Sequence, residues 1–191
     1  MKTQILIAIK IFTLFTILLG IAYPMLITTI GQIAFTDKAN GSLIKVGNKV
    51  VGSELIGQTF DSDLYFYSRP SATNYNPLPS GGSNLGPTSE KRKQLAKERK
   101  ENFILKNQID PAQPLPSEML CASASGLDPH ISPPAALMQV ERIVKARQLN
   151  GMQKQELLKT IAELTEAPQF SLFGEARINV LRLNLALDKF K

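Results

Sequence analysis

The chain has 191 residues, 43% hydrophobic and 20% charged, with a formal net charge of +6. One cysteine, Cys121, excludes an internal disulfide, and with the single His130 it also excludes an all-protein His/Cys zinc site. The apolar residues are unevenly spread, concentrating at the N-terminus.

From Ile11 to Phe35 there are 25 consecutive positions without a charge. As a helix this reaches about 37 Å, enough to cross a hydrocarbon core of about 30 Å with some tilt. Lys10 sits where a long side chain snorkels to the headgroups. Pro24 is expected to kink the span, because it removes a backbone donor. Thr28, Thr29 and Gln32 face either a partner helix or the interface. The run is too long for the apolar core of a cleaved signal peptide, and no small-x-small cleavage site of good quality follows it. The reading is a tail at 1–10, a retained transmembrane helix at 11–35 and a soluble domain at 36–191. Lys2 and Lys10 precede the span, which places the N-terminus in the cytoplasm and the domain outside.

In the domain, Gly41–Val46 and Lys49–Gly52 flank Gly47-Asn48, the signature of a β-hairpin. Residues 53–60 continue as strand or turn, and Tyr65-Phe66-Tyr67 forms an aromatic cluster of core type. Residues 68–87, rich in Pro, Ser, Gly and Asn, predict a long loop. The spacing then predicts a polar helix over 89–106. Its seven Lys/Arg against three Glu read either as a basic patch or as a solvated face with Glu/Lys pairs. Only Phe103 is interleaved for base stacking, so no nucleic-acid partner is inferred. Ser132 reads as an N-cap with Pro133 at the first helical position. That helix is expected to run to Leu149, burying Ala136, Val140, Ile143, Val144 and Ala146, and to end at Asn150-Gly151. A further helix over 153–165 carries Leu157, Ile161 and Leu164 on one face. The tail from Arg177 to Phe190 reads as a strand turning helical near Asn184. The fold class is α+β: one N-terminal transmembrane helix, then one mixed soluble domain with an N-terminal β-hairpin and C-terminal helices.

Three groups of residues suggest chemistry. The glycines of Ser80–Gly86 would let backbone N–H groups approach a phosphate, but no Gly-Lys-Ser/Thr ending completes a P-loop, and on the residues alone a structural loop is the better reading. Asp128 and His130 beside Ser123 and Ser125 invite a hydrolase reading, whereas a turn leading into a capped helix explains the same residues. Gln139 and Arg142, three apart, share a helix face, and with Arg147 they could grip an anion or simply be exposed. No catalytic residue and no metal ligand is assigned.

Several motifs in order carry a resemblance: Tyr23-Pro24, Gly41–Ile44, Val50–Ser53 with Leu55–Gln58, Arg69–Ala72, Ser80–Gly86 and Ala122–Asp128. Gln139, Arg142, Ala146-Arg147, and Asn179–Leu181 with Leu183–Leu187 complete the set. The chain resembles the C subunit of the bacterial high-affinity potassium-transporting P-type ATPase, the Kdp system. The resemblance implies an inner-membrane, non-catalytic subunit with no tightly bound cofactor, working with a channel-like A subunit, an ATP-hydrolysing B subunit and a small F subunit. It further implies a catalytic chaperone that raises the ATP affinity of the B subunit. Gln139 with Ser80, Gly81, Gly82, Ser83 and Asn84 would then contact nucleotide, and Arg142, Arg147 and Arg69 a partner. A domain outside the membrane is remote from ATP, so the mechanistic expectation is instead a brace on the A and B subunits. A membrane-anchored extracytoplasmic hydrolase or binding protein is the alternative.

Overall fold

A segment in lipid must satisfy its backbone polar groups internally, and the N-terminal run does so as one helical rod. In the computed structural model, which describes residues 1–190, the rod comprises α1 (Lys2–Ile17), a π-helical turn (Leu18–Ala22) and α2 (Tyr23–Ala34). The residues before Ile11 are thus helical as well. The π-turn answers Pro24: Tyr23 N–H reaches back five residues to the Leu18 carbonyl just before the ring enters. Widening the turn there relieves the clash that Pro24 would make with the preceding turn of a regular α-helix. Thr29 bonds back to the Met25 carbonyl at 2.8 Å. Gln32 exchanges amide hydrogen bonds with Asn40 at 3.3 and 3.2 Å, across the short helix α3 (Thr36–Ala39). The hairpin follows as β1 (Leu43–Val46) and β2 (Lys49–Ser53), with Gly47 at φ +60° in its two-residue turn. The chain divides into two units, Met1–Val51 and a second beginning at Gly52.

In the second unit the long loop gives way to α4 (Glu90–Asn107), capped by Ser89, whose side chain accepts from Arg92 N–H. It ends where Gln108 turns left-handed. Phe103 and Asn107 are its buried residues, while the opposite face carries Lys93–Glu90 at 2.7 Å, Gln94–Glu98 at 3.0 Å and Lys97–Glu101 at 4.0 Å. Acids and bases alternate there, which is a solvated face.

A connector with one 3-10 turn (Ser117–Met119) leads to β3 (His130–Ile131), α5 (Pro133–Leu137) and α6 (Val140–Arg147). Ser132 caps α5 as expected, but the single helix expected to Leu149 is broken at Met138-Gln139. The Gln139 side chain turns inward and donates to the Ala135 carbonyl at 3.2 Å, so Gln139 N–H bonds Ala136 instead. Of the expected apolar face, Ala136, Val140 and Ile143 are buried, while Val144 and Ala146 are half-buried. The left-handed cap falls on Gln148, whereas Asn150 opens α7 (Gly151–Glu163) through a capping box with Gln153.

The remaining elements are β4 (Thr165–Glu166), β5 (Arg177–Asn179) and α8 (Val180–Leu187). A three-stranded antiparallel sheet runs β3-β5-β4, with Ile178 opposite both Ile131 and Thr165. The strand turns helical at Val180, earlier than expected, because Asn179 caps Arg182 N–H. Helical spacing then buries Leu183 and Leu187 against Phe66, Ile143 and Leu157 in one core.

Candidate functional site

Residues 63–67 belong to no helix or strand, yet Phe66 is fully buried and Tyr67 nearly so. Backbone polar groups entering a core need partners, and here side chains supply them. Asn184 of α8 accepts from Phe66 N–H at 2.8 Å and donates to Phe66 C=O at 3.0 Å. Gln139 does the same for Tyr67, accepting at 2.7 Å and donating at 3.3 Å. Arg142 of α6 donates to the Asp63 carbonyl and, at 2.9 Å, to that of Tyr65. Arg147 takes the Leu64 carbonyl at 2.7 Å and continues to the Leu187 carbonyl at 3.1 Å and to Asp188 at 2.8 Å. Two carboxamides and two guanidinium groups thus hold an aromatic peptide as a neighbouring strand would. The structure therefore brings Gln139, Arg142 and Arg147 together on residues 63–67.

The clamp is buried at Gln139, Arg142 and Asn184 and half-buried at Arg147. Gln139 is 0% and Arg142 6% exposed. The Arg142 guanidinium lies 3.9 Å from the Tyr67 ring centroid and bonds Asn107 at 2.9 Å and Gln139 at 3.0 Å. Burial lowers the Arg142 pKa, with Tyr67 and Asp63 opposing. Burial and the hydrogen bond to Asp63 push the Tyr67 phenol up to about 12, against the attraction of Arg142. Asn184 and Asn107 were not among the expected site residues. Their signal was an uncharged polar residue inside the apolar run Leu183–Leu187 and an amide at the end of a helix.

Arg69 sits elsewhere, paired with Asp128 at 2.6 Å beside His130, whose Nδ1 lies 3.2 Å from the same carboxylate. These groups line a cleft of about 430 Å³ with Glu118, Glu175 and Arg177. Neither Ser123 nor Ser125 bonds His130; the Ser125 hydroxyl accepts from Leu127 N–H at 3.1 Å, as a turn former does. Among the described residues no cluster of His, Cys, Asp and Glu could hold a metal ion.

Burial raises the Asp128 pKa, but hydrogen bonds from the His130 side chain and backbone, with Arg69, outweigh it and hold the carboxyl at about 2. A depressed carboxyl stabilises the fold above its unfolded pKa and loses that contribution as pH falls toward the folded value. Between pH 4 and pH 2 the natural chain should therefore lose about 1–2 kcal/mol more than Asp128→Asn, allowing for partial exposure. Urea midpoints at the two pH values check this; parallel losses would remove Asp128 from the account.

The Ser80–Asn84 loop lies against Ala122–Gly126. Gly81 N–H bonds the Ser125 carbonyl at 3.0 Å, and a Cβ on Gly82 would stand 2.9 Å from the Ala124 carbonyl. Gly126, at φ +72°, approaches the Gly81 carbonyl so closely that a Cβ there would lie 2.9 Å away. Close approach of two backbones is thus what these glycines permit. Among the described residues no hydrogen bond joins this loop to Gln139.

The family model described as K+-transporting ATPase, c chain (KdpC), matches residues 5–189. A Potassium-transporting ATPase KdpC subunit of Paraburkholderia phytofirmans is 47% identical over 186 residues, covering 96% of this chain and 95% of the relative. Subunits of the same description from Burkholderia mallei and Burkholderia pseudomallei are each 46% identical over 183 residues, covering 94% of this chain and 93% of the relative.

Proposed function

Because the chain belongs to the KdpC family of K+-transporting ATPase c chains, we propose that it is the accessory subunit bracing a potassium pump from outside the membrane. The single span Lys2–Ala34 anchors it in the lipid of the inner membrane. The lysines ahead of the uncharged run favour a cytoplasmic N-terminus and an external domain. Potassium selection then belongs to a channel-like A subunit, ATP hydrolysis to a B subunit, and a small F subunit completes the assembly.

The observation that carries the bracing role is the loop between β4 and β5. Phe170, Leu172 and Phe173 are 87%, 80% and 67% exposed at its tip. Paired hydrogen bonds between Gln169 and Phe173, both 2.9 Å, hold the tip, with Phe170 and Ser171 at positive φ. A bulky residue in that conformation is uncommon, and three large apolar side chains held out together form an anchor suited to a pocket on a partner. For the chaperone role, Gln139 would have to leave four hydrogen bonds to meet a nucleotide. Bracing requires no such rearrangement.

The test is purification of the tagged chain from membranes of potassium-starved cells. The natural chain should bring two large membrane proteins with it. Phe170→Ser, Leu172→Ser, Phe173→Ser together should reduce their recovery about tenfold, as expected when central apolar anchors worth over 1 kcal/mol are lost. The melting temperature of the chain should not fall, because the tip is outside the core. An impermeant thiol reagent applied to intact cells, with any outer envelope permeabilised, should label half-buried Cys121. Undiminished recovery would remove the tip from the brace, and labelling only after inner-membrane lysis would overturn the orientation.

A further inference from the structure

Arg92 and Arg99 lie seven positions apart on α4, about 10.5 Å along its axis and on nearly the same side. They are set apart from the paired lysines of the exposed face, and both are half-buried. Both line one cleft of about 290 Å³, together with Ser83, Leu85, Leu95 and Cys121 among others. None of the residues lining it is acidic, so two positive charges face one cavity with no counter-charge. Arg99 is fixed by a 3.0 Å bond to the Leu120 carbonyl. The Arg92 guanidinium has no hydrogen bond or ion pair among the described residues, since only its backbone N–H bonds, to the Ser89 cap.

We propose that this cleft binds a phosphate group, Arg92 and Arg99 taking its oxygens from two sides with the Ser83 hydroxyl within the same cavity. Guanidinium forks match phosphate oxygens in geometry as well as charge, and a half-buried setting limits screening. Leu85 and Leu95 add apolar wall beside the charges, which suits a phosphodiester carrying hydrocarbon as well as a free anion. The membrane anchor keeps anionic headgroups at high local concentration. The inference stands apart from the bracing role, because it concerns a different surface and is tested on the chain alone.

Cys121 lines the same cleft, so its alkylation by neutral iodoacetamide reports occupancy. The full chain would be placed in phosphatidylcholine nanodiscs, with and without phosphatidylglycerol, and inorganic phosphate added to the former. Occupancy should slow alkylation about fivefold, corresponding to ligand at about four times its Kd. Slowing only by phosphatidylglycerol assigns a lipid headgroup; slowing by phosphate in phosphatidylcholine discs assigns a free anion. Arg92→Gln should remove most of the slowing without altering the melting temperature, since its side chain holds nothing else in place. No slowing by either source, or slowing undiminished in Arg92→Gln, would overturn the proposal.

Discussion

Replacing Arg142 by alanine is expected to destabilise the domain by about 3–5 kcal/mol, the range for removing one partner from a buried charged network. The truncation leaves the carbonyls of Asp63 and Tyr65 and the amide oxygens of Asn107 and Gln139 without this donor. It also takes away the cation stacked on Tyr67. Two large losses therefore coincide, unmatched acceptors and an empty volume in the core. For a domain of this size the melting temperature should fall by roughly 10–20 °C. Near-UV circular dichroism of the full chain in detergent is the measurement, because two of the four tyrosines, Tyr65 and Tyr67, lie in the affected region and the transmembrane helix holds just Tyr23. Arg142→Lys should recover less than half of the loss, since an ammonium keeps the charge but not the planar fork. A fall below about 1 kcal/mol would show that the guanidinium is not what holds residues 63–67.

Gln139→Ala is expected to cost about 2–4 kcal/mol, and to do so in the chain on its own. Its carboxamide serves both backbone groups of Tyr67. The variant separates two roles for a residue that the family resemblance associates with nucleotide. If the amide is a clamp, the melting temperature falls before any pump is assembled. If it serves a ligand, stability stays within about 0.5 kcal/mol and only the ATP dependence of the assembled pump shifts. Because Arg142 also bonds the Gln139 oxygen at 3.0 Å, the double variant should cost less than the sum of the two single ones. Full additivity would mean that the two side chains act independently.

Much of this architecture is written in local pattern. Twenty-five uncharged and mostly apolar residues make a helix long enough to cross a membrane, since in lipid the backbone has no partner but itself. Gly47-Asn48 makes a hairpin turn and Ser89 and Ser132 cap helices through interactions within a few residues, and helical spacing alone puts Leu157 and Ile161 on one face. Pro24 announced a disturbance in the span, although its form, a π-turn at Leu18–Ala22, depends on how the preceding turn yields. The alternation of Lys and Glu along α4 likewise foretold a solvated face.

The candidate site depended on distance. Gln139, Arg142 and Arg147 are legible as a helix face, and on a lone helix such residues look available to a ligand. What occupies them, residues 63–67, is more than 70 positions away in sequence, and Asn184 joins from the other end of the domain. Helical spacing says which residues share a side; it does not say whether that side meets water or another stretch of backbone. The break at Gln139 follows from the same cause, since its side chain turns to Tyr67 and takes the Ala135 carbonyl as it does so. Helix caps and tight turns were therefore determined by the sequence alone. The partners of buried polar groups were decided only when the tertiary fold excluded water from them.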